Sequence, residues 1–480
     1  MKLNIQRILA KGLKSLVWLF VACTFANDTE QPNILFILAD DAGYHDFGFH
    51  GSKVMQTPNL DKLGNQGILF TQAYVSAAVC GPSRAGILTG QYQQKFGYEE
   101  NNVPGYMSHS GTLGDEMGLP LNLKIMPEYL KAQGYTTGLF GKWHQGNADK
   151  FHPTKRGFDY FYGFRGGARS YFAFNEDNPN TRPEDYLEQG FRQYKESPKY
   201  LTHALVDKTI EFIEHSQTKT TDKKPFFAFL SFTAVHAPME AEAADLEKFS
   251  ALTGKRKTLA AMTFAMDKAI GRLLNRLEQL GIRDNTLVVF TNDNGGPTDQ
   301  NASNNAPLSG TKANHLEGGI RVPFIMCWPA KLNQLKVYRD PIITLDLLPT
   351  FFAAAGGDMK TLKDIDGKNL LPFLTGTMAN NETHTPHQML FWKKETRAAI
   401  RHGAWKLLRF PDRPAELYEL ESDPAEEINL AAAHPEIVTD LYKKLFSWEL
   451  TLERPKWQLK RQYEGAAMQR MDKYRKHLTD

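Results

Sequence analysis

The chain has 480 residues, 41% of them hydrophobic, and a formal net charge of +3. A chain of that length buries a large core and corresponds to about two or three domains, which excludes a small disulfide-stapled scaffold and a disordered chain. No lysine-rich arm or tail accompanies the mild charge, so a nucleic-acid footprint is absent and any anionic substrate must be met by a local cluster of cations.

Lys2, Arg7, Lys11 and Lys14 precede an apolar run from Leu16 to Ala26. This is the order of an export signal, and the run is too short to span a bilayer. Residues 1–26 are expected to leave by cleavage after Ala26. "FVAC" is close to a lipobox, with Phe20 an unusual residue three positions upstream, so a lipid anchor at Cys23 stays open. The protein is therefore expected to be exported: periplasmic, secreted, or held at the membrane as a lipoprotein. A transmembrane helix is not expected, because no later segment offers the about 20 uninterrupted apolar residues it needs.

After cleavage, Cys80 and Cys327 remain. Exported proteins that use cysteine structurally carry it in pairs and in quantity. Cys327 lies in the apolar "VPFIMCWP" and reads as a buried apolar side chain. Cys80, directly before Gly-Pro-Ser-Arg, has no such explanation.

Short runs rich in branched and aromatic residues then alternate with helical patterns. "NILFIL" (Asn33–Leu38) opens the series, followed by "TTGLF" (Thr136–Phe140), "PFFAFLSF" (Pro225–Phe232), "TLVVFT" (Thr286–Thr291) and "VPFIMCW" (Val322–Trp328). Helical periodicity fills Leu121–Gly134, Leu201–Ser216 and Leu259–Gly281, two of which close on a glycine. The expected fold class is α/β: a large, mostly parallel sheet buried on both faces between helices. Near Thr375 the texture turns polar, and "TGTMANNETHTPHQ" reads as a linker. Beyond it, "QMLFW", "RAAIRHG" and "AWKLLRF" read as antiparallel strands before a helix over Pro435–Leu450. The expected organisation is a catalytic domain at 27–375 and a smaller α+β domain at 385–480, built on a short antiparallel sheet. Its charged tail from Arg454 to Asp480 reads as a solvated helix.

In open α/β sheets, ligands bind beyond the carboxyl ends of the strands. After the first run come Asp40 and Asp41; after "TLVVFT" come Asp293 and Asn294. Alone, each has a bland explanation, a helix cap or a hairpin turn. Together they form a set of hard oxygen donors suited to Ca²⁺ or Mg²⁺. Lys142 and His144 follow "TTGLF", and His236 follows "PFFAFLSF". A divalent cation beside cationic and acid/base side chains suits chemistry on an anionic ester.

"CGPSRAGILTG" resembles the signature of the type I, formylglycine-dependent sulfatases of the alkaline-phosphatase superfamily. Its companions appear in order: "LADDAGY", "GKWHQG", "HPTKRGFDYFYG", "AVHAP", "DNTLVVFTNDNGG" and "LSGTKANHLEGGIRVP". The resemblance spans Asn33 to Asn429 and implies an alkaline-phosphatase-like fold and hydrolysis of sulfate esters. It implies that Cys80 is oxidised to Cα-formylglycine during export by a maturation enzyme that reads Cys80, Pro82 and Arg84. The hydrated aldehyde would attack sulfur through one hydroxyl and expel sulfate through the second. By position, Asp40, Asp41, Asp293, Asn294 and residue 80 resemble the metal ligands. Arg84 would hold the diol and the carboxylates, and Lys142 and Lys312 would clamp the sulfate. His144 would accept the diol proton, and His236 would protonate the leaving alcohol.

Ser309 and His203 depart from the family pattern, where Arg and Asp are usual, which bears on substrate preference more than on reaction type. A phosphomonoester or phosphonate ester hydrolase on the same fold is the alternative activity. Export with an open lipid anchor resembles bacterial polysaccharide sulfatases, so a sulfated carbohydrate is the expected partner. An algal glycan such as ulvan or carrageenan leads, with host glycosaminoglycans also candidates. Aromatic and basic residues of Gly163–Phe174, together with Trp392, Lys393 and the tail from Arg454, are candidates for lining a sugar subsite.

Overall fold

A computed structural model describes residues 31–172, 186–193, 199–218, 223–377 and 385–475. Residues 1–30, on which the expected export signal and Cys23 fall, lie outside the described residues, as do Ala173 and Phe174 of the candidate sugar subsite and the last residues of the tail.

The central element is a ten-stranded sheet. Its order is Val337–Tyr338, Ile68–Phe70, Phe324–Cys327, Thr286–Asn292, Asn33–Ala39, Phe226–Ser231, Thr136–Lys142, Tyr160–Phe164, Glu188–Gln189 and Arg192–Gln193. From Thr286–Asn292 through Tyr160–Phe164 the strands run parallel, with Ile34 in register with Leu287 on one side and Phe227 on the other. Antiparallel pairing enters at Phe324–Cys327 and at Glu188–Gln189. The sheet is thus mixed and mostly parallel, as expected.

Strand alternation explains why the central runs are continuously apolar. Leu35 and Ile37 face one buried cluster, shared with helices Leu201–Thr218 and Gly254–Gln279. Ile34, Phe36 and Leu38 face the opposite cluster, shared with helices Cys80–Thr89, Met126–Ala132 and Leu347–Ala354. Every residue of Asn33–Ala39 is buried, so neither face tolerates a polar alternation.

Two predicted helices differ in extent. The one expected over Leu121–Gly134 spans only Met126–Ala132, because Pro127 lacks an N–H and fits the first turn. Glu128 closes the start by accepting from the Ile125 N–H at 2.7 Å. The helix expected from Leu259 begins at Gly254 and ends as predicted before Gly281, whose φ of +67° is the left-handed stop that glycine adopts cheaply.

C-terminally, Met389–Lys394, Arg397–His402, Trp405–Arg409 and Glu416–Glu419 form an antiparallel four-stranded sheet in sequence order. Helix Pro435–Glu449 covers it with Leu441, Leu445 and Trp448, which lie at four- and three-residue steps. The sheet docks on the main body through a buried polar seam. The Lys406 ammonium lies 2.8 Å from both Glu317 and Glu426, and Glu317 also accepts from the Tyr74 hydroxyl at 2.6 Å. Arg401 donates to that hydroxyl at 2.5 Å, and the Trp392 indole donates to the Val75 carbonyl at 2.7 Å.

The charged tail is not a merely solvated helix. Trp457 is 1% exposed, and helix Arg461–Lys473 buries Met468 and Met471 on one face. Apolar residues three positions apart among charges supplied the stripe that packs; the charge-rich composition hid it.

Lys406→Met removes the cation that bridges two buried glutamates and leaves Glu317 with only Arg321, at 3.5 Å, as its ion-pair partner among the described residues. It should destabilise the protein by about 3–5 kcal/mol in urea unfolding; a loss under about 1 kcal/mol would mean that the apolar seam alone holds the small sheet.

Candidate active site

Because four neighbouring strands run parallel, their carboxyl ends open onto one edge of the sheet. Ala39 leads to Asp40 and Asp41, Asn292 to Asp293 and Asn294, Lys142 ends its strand, and Ser231 ends the strand between them. Asp40, Asp41, Asp293 and Asn294 are all buried. Their backbone is tied across the edge: the Asp293 N–H donates to the Ala39 carbonyl at 3.1 Å, and the Val235 N–H donates to the Asp40 carbonyl at 2.6 Å. The second bond anchors the loop that carries His236. Asp41 has a φ of +63°, a left-handed conformation that costs a non-glycine residue energy and clusters at functional sites.

Cys80 opens helix Cys80–Thr89 at the same edge, with Val79 extended as its cap. The exposed N–H groups of a first turn favour anions there. One turn on, Arg84 points back into the carboxylates. Its Nε donates to Asp293 at 2.8 Å, Nη1 donates to the Ser231 hydroxyl at 2.6 Å, and Nη2 lies 3.6 Å from Asp40. The Lys142 ammonium sits 2.6 Å from Asp40, and that of Lys312 sits 2.7 Å from Asp41 and 3.2 Å from the Cys80 sulfur. Three carboxylates thus face three cations, all buried. A divalent cation entering with a monoanionic sulfate ester would add one positive charge, which the dianionic sulfate released by hydrolysis would cancel.

These neighbours set the titration behaviour. Burial would raise the Asp41 carboxyl, but Lys312 and His236 hold it well below the usual carboxylate range. Burial and the adjacent Asp40 push Asp293 up to about 6 despite Arg84. Burial pushes the Cys80 thiol up to about 12, against the pull of Lys142 and Lys312, so an unmodified Cys80 stays a thiol and not a thiolate.

The two histidines differ. His236 Nδ1 lies 2.6 Å from the Ala237 carbonyl and so carries a proton, leaving Nε2 3.4 Å from Asp41. Burial lowers its pKa to about 4, below the near-neutral value expected from its residue type. His144 has a φ of +56° and is buried, and neither ring nitrogen has a hydrogen-bond partner among the described residues. Burial, then Lys142 and Arg84, drive its pKa well down. Gly167 lies against this ring; a Cβ there would come within 2.8 Å of it, so the approach requires glycine.

A hard divalent cation fits these donors. Asp40, Asp41, Cys80 and His236 offer ligand atoms within 4.8 Å of one another. Asp293 Oδ1 and Asn294 Oδ1 are buried acceptors with no donor among the described residues, while Asn294 Nδ2 is spent on Asp41 at 2.7 Å and on Gly295. Acceptors left over in a closed site are what an oxygen-seeking cation satisfies.

The structure therefore brings together Asp40, Asp41, Cys80, Arg84, Lys142, Lys312, His236, Asp293 and Asn294, with His144 beside them. Sequence reasoning missed several supports. Ser231, the last residue of its strand, accepts from Arg84 and donates to the Lys142 carbonyl at 2.6 Å; it lay inside the predicted run Pro225–Phe232, two places before the residues inspected. Asn101 accepts from the Gly81 N–H at 2.7 Å, and Gln145 donates to the Gly81 carbonyl at 2.9 Å. Asn101 lies in an irregular stretch that carries no periodic signal.

Three of the candidate sugar-lining residues, Tyr171, Trp392 and Lys393, make structural contacts. Tyr171 is buried, and its hydroxyl donates to the Thr233 and His236 carbonyls at 2.7 and 2.8 Å. Trp392 is in the seam, and Lys393 pairs with Glu99 at 2.6 Å. Ser309 donates to the Ala425 carbonyl, and His203 pairs with Glu242 at 3.0 Å. Cys327 is buried, and the Arg283 guanidinium donates to its sulfur at 3.0 Å.

A sulfatase family model matches residues 32–357, and a model of the N-sulphoglucosamine sulphohydrolase C-terminal region matches residues 312–450. The chain is 31% identical over 395 residues to N-acetylgalactosamine-6-sulfatase of Canis lupus familiaris, covering 79% of this chain and 72% of that protein. Arylsulfatase J of Mus musculus is 28% identical over 471 residues, covering 88% of this chain and 76% of that one. Among solved structures, Ps i-CgsB in complex with k-i-k-neocarrahexaose is similar at 33% identity with a TM-score of 0.82, covering 92% of this chain and 98% of that one.

Ca²⁺ or Mg²⁺ at about 100 times its dissociation constant should stabilise the protein by about 2.7 kcal/mol, read as a rise in Tm that EDTA reverses. Asp293→Asn should weaken that rise; an unchanged Tm on adding either ion to the wild type would count against the site.

Proposed function

This chain belongs to the sulfatase family and is a sulfuric ester hydrolase; from that premise we propose that it desulfates a carbohydrate through the strand-edge cluster around residue 80. The observation that carries the reading is the convergence of Asp40, Asp41, Asp293, Arg84, Lys142 and Lys312 on Cys80 at a helix N-terminus.

Asp40, Asp41, Asp293 and Asn294, with residue 80, would hold a Ca²⁺ or Mg²⁺ ion. Such an ion lowers the pKa of a coordinated hydroxyl and neutralises a sulfate oxygen. Cys80, converted to Cα-formylglycine by a maturation enzyme, supplies as its hydrate a hydroxyl nucleophile and a second hydroxyl for sulfate release. The thiol sulfur occupies the position of those hydroxyls and already lies 3.2 Å from Lys312.

Lys142 and Lys312 neutralise the sulfate group: their ammonium groups reach the pocket from two sides and hold Asp40 and Asp41 until an anion shares them. Arg84 keeps Asp293 ionised and aimed, since its guanidinium is fixed by Ser231 and the Lys142 carbonyl. His144, with two unbonded ring nitrogens in a cationic surrounding, is neutral and able to accept a proton from residue 80. His236 is oriented by Ala237, so Nε2 is the nitrogen that delivers a proton to the leaving oxygen. An approaching sulfate would favour its imidazolium form, offsetting the lowering by burial.

The relatives' names support a sugar substrate: one is an N-acetylgalactosamine-6-sulfatase, and the similar solved structure holds a neocarrahexaose. An algal galactan of the carrageenan type is the substrate we favour over ulvan. Export of the protein, by cleavage after Ala26 or with lipid at Cys23, fits a polymer met outside the cytosol. Residues 27–375 would carry the chemistry and 385–480 its support.

Cys80→Ala should abolish turnover of an aryl sulfate while leaving Tm within a few degrees; retained activity overturns the role of residue 80. In active protein, the tryptic peptide containing residue 80 should show sulfur replaced by oxygen with loss of two hydrogens, and an intact thiol would refute the aldehyde. Faster turnover of aryl phosphate than of aryl sulfate would favour the phosphoester alternative. Sulfate release from defined sulfated oligosaccharides identifies the glycan; release from ulvan oligosaccharides alone would remove the galactan choice.

A further inference from the structure

The segment after Leu450 lies beyond both family models, which end at residues 357 and 450. It nonetheless returns to the active-site edge. The Lys456 N–H donates to the Gly97 carbonyl at 2.8 Å, and the Trp457 indole donates to the Glu100 carbonyl at 2.8 Å while its ring packs on Tyr98 at 4.7 Å. The stretch so held carries Asn101, which caps Gly81, and Tyr98, whose hydroxyl donates to the His144 carbonyl at 3.2 Å.

A second anchor lies further along. Arg470, on helix Arg461–Lys473, straddles Asp299 with Nε at 2.8 Å and Nη2 at 2.5 Å, and its Nη1 donates to the Lys312 carbonyl at 2.8 Å. Planar bidentate pairing is the geometry in which arginine fixes position, as lysine cannot. The backbone it grips is under strain: Ala313 has a φ of +73°, and its N–H is bound to the Ala78 carbonyl at 2.8 Å. Arg397, from the small sheet, donates to the Ala313 carbonyl at 3.0 Å. Lys312 therefore projects toward Asp41 and Cys80 from a peptide clamped by two arginines of the C-terminal region.

We propose that Arg470 is a positioning residue for Lys312, and that the segment Glu453–Lys473 is a strap completing the sulfate-binding side of the active site. This rests on the reading of Lys312 as a sulfate contact. Loss of the clamp lets the peptide rotate, and a displacement near 1 Å of a group that stabilises developing charge costs up to about a hundredfold in rate.

The test uses the full chain. Arg470→Gln should lower kcat on an aryl sulfate by about tenfold or more, with KM changed less than kcat and Tm little altered. Asp299→Asn, which keeps Arg470 but loses its carboxylate partner, should lower kcat in the same sense and decides the matter if Arg470→Gln does not fold. In a Lys312→Ala background, Arg470→Gln should add almost nothing. Unchanged kcat in both single variants, or a full multiplicative loss in the Lys312→Ala background, overturns the proposal. If the wild type turns over no sulfate ester, the functional reading fails separately. The clamp is then judged by amide exchange at Thr311–Asn314, which Arg470→Gln should accelerate and which would refute it if unchanged.

Discussion

The structure depends on one electrostatic constraint: three carboxylates brought together at the ends of adjacent parallel strands. Asp40, Asp41 and Asp293 are buried where water cannot solvate them, and like charges at such distances repel strongly in a medium of low dielectric. Arg84, Lys142 and Lys312 are the response, each from a different element. One comes from the helix that starts at Cys80, one from the strand Thr136–Lys142 two places along the sheet from Asn33–Ala39, and one from a loop supported by the C-terminal region. The cluster thus knits three parts of the chain that share little sequence proximity. The same balance leaves room for a cation and an anion to enter as a pair.

Around this cluster, the protein spends local backbone comfort on position. Asp41, His144 and Ala313 all hold left-handed conformations without being glycine. Each is over-determined by its neighbours: Asp41 by Lys312 and Asn294, His144 by the Arg165 and Tyr98 bonds to its backbone, Ala313 by Ala78 and Arg397. Strained residues gathered in one place, with rigid support behind them, characterise a preorganised site. The small sheet and the tail belong to that support. Their polar seam through Lys406, Glu317 and Glu426 fixes the sheet against the loop that carries Lys312.

Much of this was legible in the sequence because it is local. Continuous apolar runs announced strands buried on both faces, and the residues following them, Asp40, Asp41, Asp293, Asn294, Lys142, His144 and His236, are ones the structure gathers at a single edge of the sheet. The Cys-Gly-Pro-Ser-Arg stretch announced the family. Glycine at 281 announced a helix end. Other features were illegible for physical reasons. Ser231 and Asn101 matter through single hydrogen bonds to distant residues, and one hydrogen bond leaves no periodic trace. Tyr171 and Trp392 looked like sugar platforms, because an aromatic side chain carries no mark of which way it will turn.

The sequence by itself determined the fold class, the order of the elements and the chemical inventory at the strand ends, since periodicity and residue type act over a few positions. Only the tertiary structure decided which charges meet. It paired Lys142 with Asp40 and Lys312 with Asp41, and it aimed Arg84 at Asp293. It also turned a tail that read as solvated into a support for Lys312 through Arg470. The reason is that ion pairs and carbonyl contacts between distant segments are set by how layers pack, and packing is a property of the whole chain.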